Sequence, residues 1–133
     1  MNVLQGNIID IKTSGEISQV LVDVNGIFFS SILLDAATLN LKIKDSVEIL
    51  FKETEVLVAT KLSCVSARNS FFGDVKGIKQ GEILSEISFA FQNTIIKSII
   101  TTSSLQALDI KIGEEFLWLV KANEITLRTK GEA

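Results

Sequence analysis

The sequence predicts an all-β fold of many short strands, built twice along the chain. Three observations carry that reading. Proline is absent and the apolar residues gather in short β-branched runs, an Asn25-Gly26 pair separates two of those runs, and the second half of the chain repeats the first. The runs are Asn7 to Lys12, Ile17 to Val24, Ile27 to Leu33, Val47 to Phe51 and Val56 to Val58, with turn residues between them. Asn25-Gly26 joins Val20-Leu21-Val22-Asp23-Val24 to Ile27-Phe28-Phe29. Both residues of the pair tolerate positive φ, so a tight hairpin is expected there.

The repeat extends over nearly the whole chain. An offset of 67 positions pairs Gly6 with Gly73, Ile11 with Ile78, Lys12 with Lys79, Ser18 with Ser85, Ser31 with Ser98 and Ile32 with Ile99. After a two-residue length difference the offset becomes 69, pairing Leu39 with Leu108, Lys42-Ile43 with Lys111-Ile112, Leu50 with Leu119, Lys52 with Lys121 and Glu55 with Glu124. Each copy reads as three strands, a short helical turn and two further strands. The helical turns are Asp35 to Leu41 and Ser103 to Leu108, with Asp35 or Thr102 placed to cap them. Five short strands and one helical turn suggest a small Greek-key barrel of the oligonucleotide/oligosaccharide-binding (OB) type, made in tandem over residues 1–61 and 62–133. A barrel of about 60 residues is marginal as an independent core, so the two are expected to share an interface, with exchanged strands one form of it. Phe51, Phe89, Phe91, Phe116 and Trp118 lie in strand runs and read as core or subunit-interface packing rather than as a stacking platform for bases.

Composition narrows the chemistry. Sixteen acidic against thirteen basic residues give a net charge of −3, and Arg68 and Arg128 are the only arginines, so a phosphate-tracking face for nucleic acid is not supported. Without His there is no imidazole base, no His-containing triad and no imidazole metal ligand. The single Cys64 cannot form a thiolate cluster or an internal disulfide. As a lone thiol without a base it reads as structural rather than nucleophilic, and no catalytic residues are assigned. A free thiol, an N-terminus without a charged and apolar leader, and apolar runs short of the ~20 residues of a membrane span together lead us to expect a soluble, cytoplasmic protein.

Between the repeats the chain reads Ser63-Cys64-Val65-Ser66-Ala67-Arg68-Asn69-Ser70-Phe71-Phe72-Gly73. One of the two arginines stands here among small hydroxyl residues. On residue chemistry alone the segment is either a polar linker or an anion cradle built from a hydroxyl, backbone N–H groups and a guanidinium. Ser66-Ala67-Arg68-Asn69, then Gly73, Val75, Ile78 and Gly81, Ile99-Ile100-Thr101, Leu108-Asp109-Ile110-Lys111-Ile112-Gly113-Glu114 and Leu119-Val120-Lys121-Ala122 resemble the Mop (molybdenum-pterin-binding protein) branch of the TOBE domain family. The resemblance covers residues 66–127 directly and extends to the first half through the repeat, giving a tandem, "di-Mop" unit.

That resemblance implies a tetrahedral dianion, molybdate or tungstate, held at interfaces between domains or subunits of a homo-oligomer, a dimer or trimer. It implies Ser66, Ala67 and Arg68 from one side of the site and Thr101, Lys121 and Ala122 from another. A dianion without a proton to donate needs only donors, which the two hydroxyls, the backbone N–H groups near Ala67 and Ala122 and the two cations would supply. No protein side chain would ligate the metal directly. The first repeat lacks much of this set: Arg68 maps to Met1, Asn69 to Asn2 and Ala122 to Glu53, whose carboxylate would repel an oxyanion, while Lys52 remains opposite Lys121 in the alignment. Only the second repeat is expected to be competent. The implied function is intracellular molybdenum storage, homeostasis or sensing. The other possibility is a scaffold module, the sensing or dimerisation domain of a molybdate-responsive transcription regulator or of an importer ATPase.

Overall fold

The computed structural model describes residues 1–34 and 40–129. Ten strands account for most of them: β1 (Asn2–Ser14), β2 (Ile17–Val24), β3 (Ile27–Leu34), β4 (Ser46–Phe51), β5 (Leu57–Ala59), β6 (Asn69–Gln80), β7 (Leu84–Phe91), β8 (Thr94–Thr101), β9 (Glu115–Val120) and β10 (Thr126–Thr129). The one described α-helix, α1, spans Thr102–Ala107, and 3₁₀ turns cover Glu53–Glu55 and Ala122–Glu124. The helical turn expected from Asp35 falls on residues 35–39, outside the described residues. Its counterpart is capped by Thr101 rather than Thr102: the Thr101 hydroxyl accepts from the Ser104 amide, while Thr102 is already helical.

The strands form two five-stranded antiparallel sheets, in the orders β10-β4-β1-β2-β3 and β5-β9-β6-β7-β8. The same design appears twice. Asn2↔Phe51 opens the β1–β4 register and Asn69↔Val120 the β6–β9 register. A bulge interrupts β1 between Ile8 and Asp10, and another interrupts β6 at the repeat-equivalent point between Val75 and Gly77. A bulge bends its strand and increases the local twist, so each long strand pairs with a different neighbour on either side of the bend. The expected hairpin is present: Asn25 and Gly26 take φ of 50° and 90°, and the Asp23 carboxylate accepts from the Gly26 amide at 2.7 Å. β1 runs further in both directions than the expected Asn7–Lys12. Gly6, which resembles a strand breaker in sequence, lies within β1 where the chain passes close to its neighbour. A Cβ there would fall 2.5 Å from the Asp23 carbonyl oxygen.

The compact units do not follow the sequence repeats 1–61 and 62–133. One unit comprises Met1–Phe51 with Lys121–Ala133, the other Lys52–Val120. The exchange is in the fifth strands: β5 of the first repeat pairs with β9, and β10 of the second pairs with β4. Each incoming segment is held by a matching buried hydroxyl. Ser31 Oγ donates to the Ile125 carbonyl at 3.1 Å in the first unit, and Ser98 Oγ donates to the Val56 carbonyl at 2.6 Å in the second. Ile8, Val20, Val22, Phe29, Val47 and Ile49 form the first core, all fully buried. In the second, Trp118 lies with its ring centroid 5.0 Å from Phe71 and 5.3 Å from Phe91. Phe51, Phe89, Phe91, Phe116 and Trp118 are all buried, so none offers a face to a nucleic-acid base.

Candidate functional site

Ser66, Ala67 and Arg68 form an irregular segment leading into β6. Ser66 and Arg68 are exposed and Ala67 is half-buried, while the following Asn69 is buried at the first rung of the β6–β9 ladder. The two arginines differ in circumstance. Arg128 donates to the Glu48 carboxylate through Nε at 2.8 Å and Nη2 at 2.7 Å, whereas Arg68 has no ion-pair partner among the described residues.

Lys121 and Ala122 follow β9. Lys121 is exposed and extended (φ −67°, ψ 148°), and its carbonyl accepts from the Glu124 amide to close the 3₁₀ turn that begins at Ala122. Arg68 and Lys121 are the next residues beyond the registered pair Asn69↔Val120, one on each chain segment. By contact, Lys121 and Ala122 belong with the first unit, and Ser66, Ala67, Arg68 and Thr101 with the second.

Thr101 ends β8 and stands opposite Leu84 of β7. β6 and β7 are antiparallel, as are β7 and β8, so Thr101 lies beside the C-terminal end of β6 and Ser66–Arg68 at its N-terminal end. β6 is 12 residues long, so within the second unit Thr101 and Arg68 lie at opposite ends of that strand. The Thr101 hydroxyl is also engaged. It accepts from the Ser104 amide at 3.1 Å and donates to Ser104 Oγ at 2.8 Å, which leaves the Ser104 hydroxyl hydrogen free to point elsewhere. Ser104 is therefore a donor that the sequence reading missed. The Thr-x-x-Ser spacing at a helix start was the signal, but only the direction of the hydroxyl hydrogen bond shows which oxygen has a proton to offer.

The first repeat presents a different surface at matching positions. Lys52, equivalent to Lys121, takes nearly the same backbone angles (φ −76°, ψ 147°) before its own 3₁₀ turn. Register adds a further difference: Leu34 occupies the place of Thr101, with Ile17 opposite where the second repeat has Leu84. Leu34 is 71% exposed and has no hydrogen-bond donor in its side chain.

One other candidate is chemically unsuited to an anion. An open cavity of about 620 Å³ in the second unit is lined by Asp74, Asp109, Glu114 and Glu115, with Lys61 as its one lining cation. Those carboxylates would repel an oxyanion. Cys64 is exposed, and among the described residues no cluster of Cys, Asp or Glu could hold a metal ion. No helix among the described residues is long and apolar enough to cross a membrane.

A tandem of small OB-like barrels is a fold class with known members. Residues 65–127 match the TOBE domain. The tandem form is that of a solved structure, the cytoplasmic molybdate-binding protein ModG in a crystal form with molybdate bound. The similarity has a TM-score of 0.89 at 27% identity and covers 95% of this chain and 94% of that one. No curated protein sequence matches the chain.

Proposed function

We propose that this protein binds molybdate, or the isosteric tungstate, as an intact oxyanion and serves intracellular molybdenum storage and homeostasis in the cytoplasm. The observation that carries the proposal is the pair of exposed cations, Arg68 and Lys121, flanking the Asn69↔Val120 rung with no ion-pair partner among the described residues. The similarity to a molybdate-loaded ModG structure over nearly the full chain supports the choice of ligand. Ser66 and Ala67 add a hydroxyl and backbone N–H groups beside Arg68; Ala122 adds an amide beside Lys121; the Ser104 hydroxyl, held by Thr101, supplies a donor from the other end of β6. A set of guanidinium, ammonium, amide and hydroxyl donors suits a fully deprotonated dianion, and only its few hydroxyl oxygens could accept the hydrogen bond of a protonated phosphate oxygen.

The separation of Thr101 from Arg68 within one unit favours sites completed by a second copy of the chain, which makes the protein a homo-oligomer and links ligand binding to assembly. No direct contact with nucleic acid and no catalytic step are part of this function. Calorimetric titration of the full chain tests it. Molybdate and tungstate should bind tightly, sulfate weakly and phosphate more weakly still. Phosphate binding as strong as that of molybdate would overturn the proposal.

A further inference from the structure

Two buried hydroxyls take no part in the proposed site yet lie directly behind it. Thr102 is 6% exposed and Ser85 is 2% exposed, and their side-chain oxygens are 2.7 Å apart. Thr102 Oγ1 donates its one hydrogen to the Gly81 carbonyl at 2.8 Å, so toward Ser85 it acts as the acceptor. The bonds therefore run in a single direction, from Ser85 to Thr102 to the backbone of the β6–β7 turn.

Backbone contacts reinforce this connection. The Thr102 amide donates to the Ile83 carbonyl at 2.8 Å, and the Gly81 amide donates to the Leu84 carbonyl at 3.0 Å. A Cβ at Gly81 would collide with that Leu84 carbonyl, so the turn closes this tightly only with glycine there. Leu84 is in turn the cross-strand partner of Thr101. The β6–β7 turn and the β8–α1 corner are thus tied together on the residue next to Thr101. The first repeat uses the equivalent serine differently: Ser18 Oγ lies 2.8 Å from Thr13 Oγ1, within the β1–β2 hairpin itself. The corner that follows β3 in the first repeat falls on residues 35–39, outside the described residues.

We propose that Thr102 is a positioning residue for oxyanion binding, fixing the Thr101–Ser104 hydroxyl pair so that the Ser104 hydrogen is directed outward before the anion arrives. The proposal rests on the oxyanion function of that corner. A donor already held in its bound orientation loses little conformational freedom on binding, and losing that order weakens affinity without removing any contact atom.

The test is titration of the full chain with sodium molybdate, comparing wild type with Thr102→Val, Thr102→Ser and Ser85→Ala, alongside amide hydrogen exchange of the unliganded proteins. Thr102→Val keeps the shape and removes both hydroxyl bonds. It should raise the molybdate Kd about tenfold, the equivalent of roughly one hydrogen bond, and should speed exchange at the Ser104 amide. Thr102→Ser should restore affinity to within about twofold of wild type, a rescue that a purely volumetric role would not produce. Ser85→Ala retains the bond to Gly81 and should weaken binding by a smaller factor, which keeps the test open if Thr102→Val fails to fold. Unchanged molybdate affinity in folded Thr102→Val or, failing that, in Ser85→Ala, or absence of rescue by serine, would overturn this inference alone. A wild-type protein that did not bind molybdate would overturn the oxyanion function, and this inference with it.

Discussion

Arg68 brings a guanidinium to the second repeat's motif, and no other side chain of that motif carries one. Replacing it with alanine removes a charge-assisted donor, which contributes roughly 1.5–3 kcal/mol, so Arg68→Ala should weaken molybdate binding about ten- to a hundredfold. Lys121→Ala should do nearly as much by calorimetry. Lys52→Ala should change little, because Glu53 follows it and Leu34 takes the place of Thr101. Equal losses from Lys52→Ala and Lys121→Ala, with assembly intact, would show that both repeats carry ligand. The fold should survive all three changes, since each side chain is exposed. At this scale the proposed motif was legible because it is contiguous: Ser66-Ala67-Arg68 is three neighbouring residues. Ser104 was hidden because its availability depends on a hydrogen-bond direction, whereas Leu34 in place of Thr101 was already within reach of the 67-residue offset.

The elements were legible wherever alternation or turn chemistry marks them, as in β2, β3 and the Asn25-Gly26 turn. The N-terminal half of β1 was not, because Gly6 imitates a break while serving a close approach of two strands. Thr102 was misplaced as a cap for a related reason: adjacent threonines offer the same hydroxyl, and only backbone geometry chooses between them. The two serine latches, repeat-equivalent in sequence, gave no sign there of what they hold. Ser98→Ala would leave the buried Val56 carbonyl without that 2.6 Å donor and should cost about 1–3 kcal/mol in urea unfolding. Ser31→Ala, at 3.1 Å, should cost less. A Ser98→Ala protein as stable as wild type would mean that water or another group replaces the hydroxyl.

At the scale of the whole molecule, strand exchange sets what can be separated. A fragment of residues 62–133 keeps β6 to β9 but lacks β5, and it carries β10 with no β4 to pair with. It should not form a stable monomer, whereas residues 52–120, which hold one complete sheet, should show the sharper thermal transition. Circular dichroism melts of the two fragments decide this. For the full chain, native mass spectrometry should show a homo-oligomer, with bound molybdate retained in the assembled species. A monomer that still binds molybdate tightly at micromolar concentration would exclude shared sites.

Protein synthesis meets this architecture from an unusual direction. Domains generally complete in the order in which they emerge from the ribosome. Here the unit that starts first finishes last, because β4 is made by Phe51 while the strand that covers its outer edge, β10, begins only at Thr126. At about 5–20 residues per second, that edge waits roughly 4 to 15 seconds, during which the whole of the second unit is translated. Throughout that interval β4 offers an open row of backbone donors and acceptors beside Val47 and Ile49, the kind of edge through which nascent chains stick to one another. A chain terminated after Ile125 should therefore keep a folded second unit yet aggregate through the first, and adding a peptide of the β10 sequence during translation should suppress that aggregation.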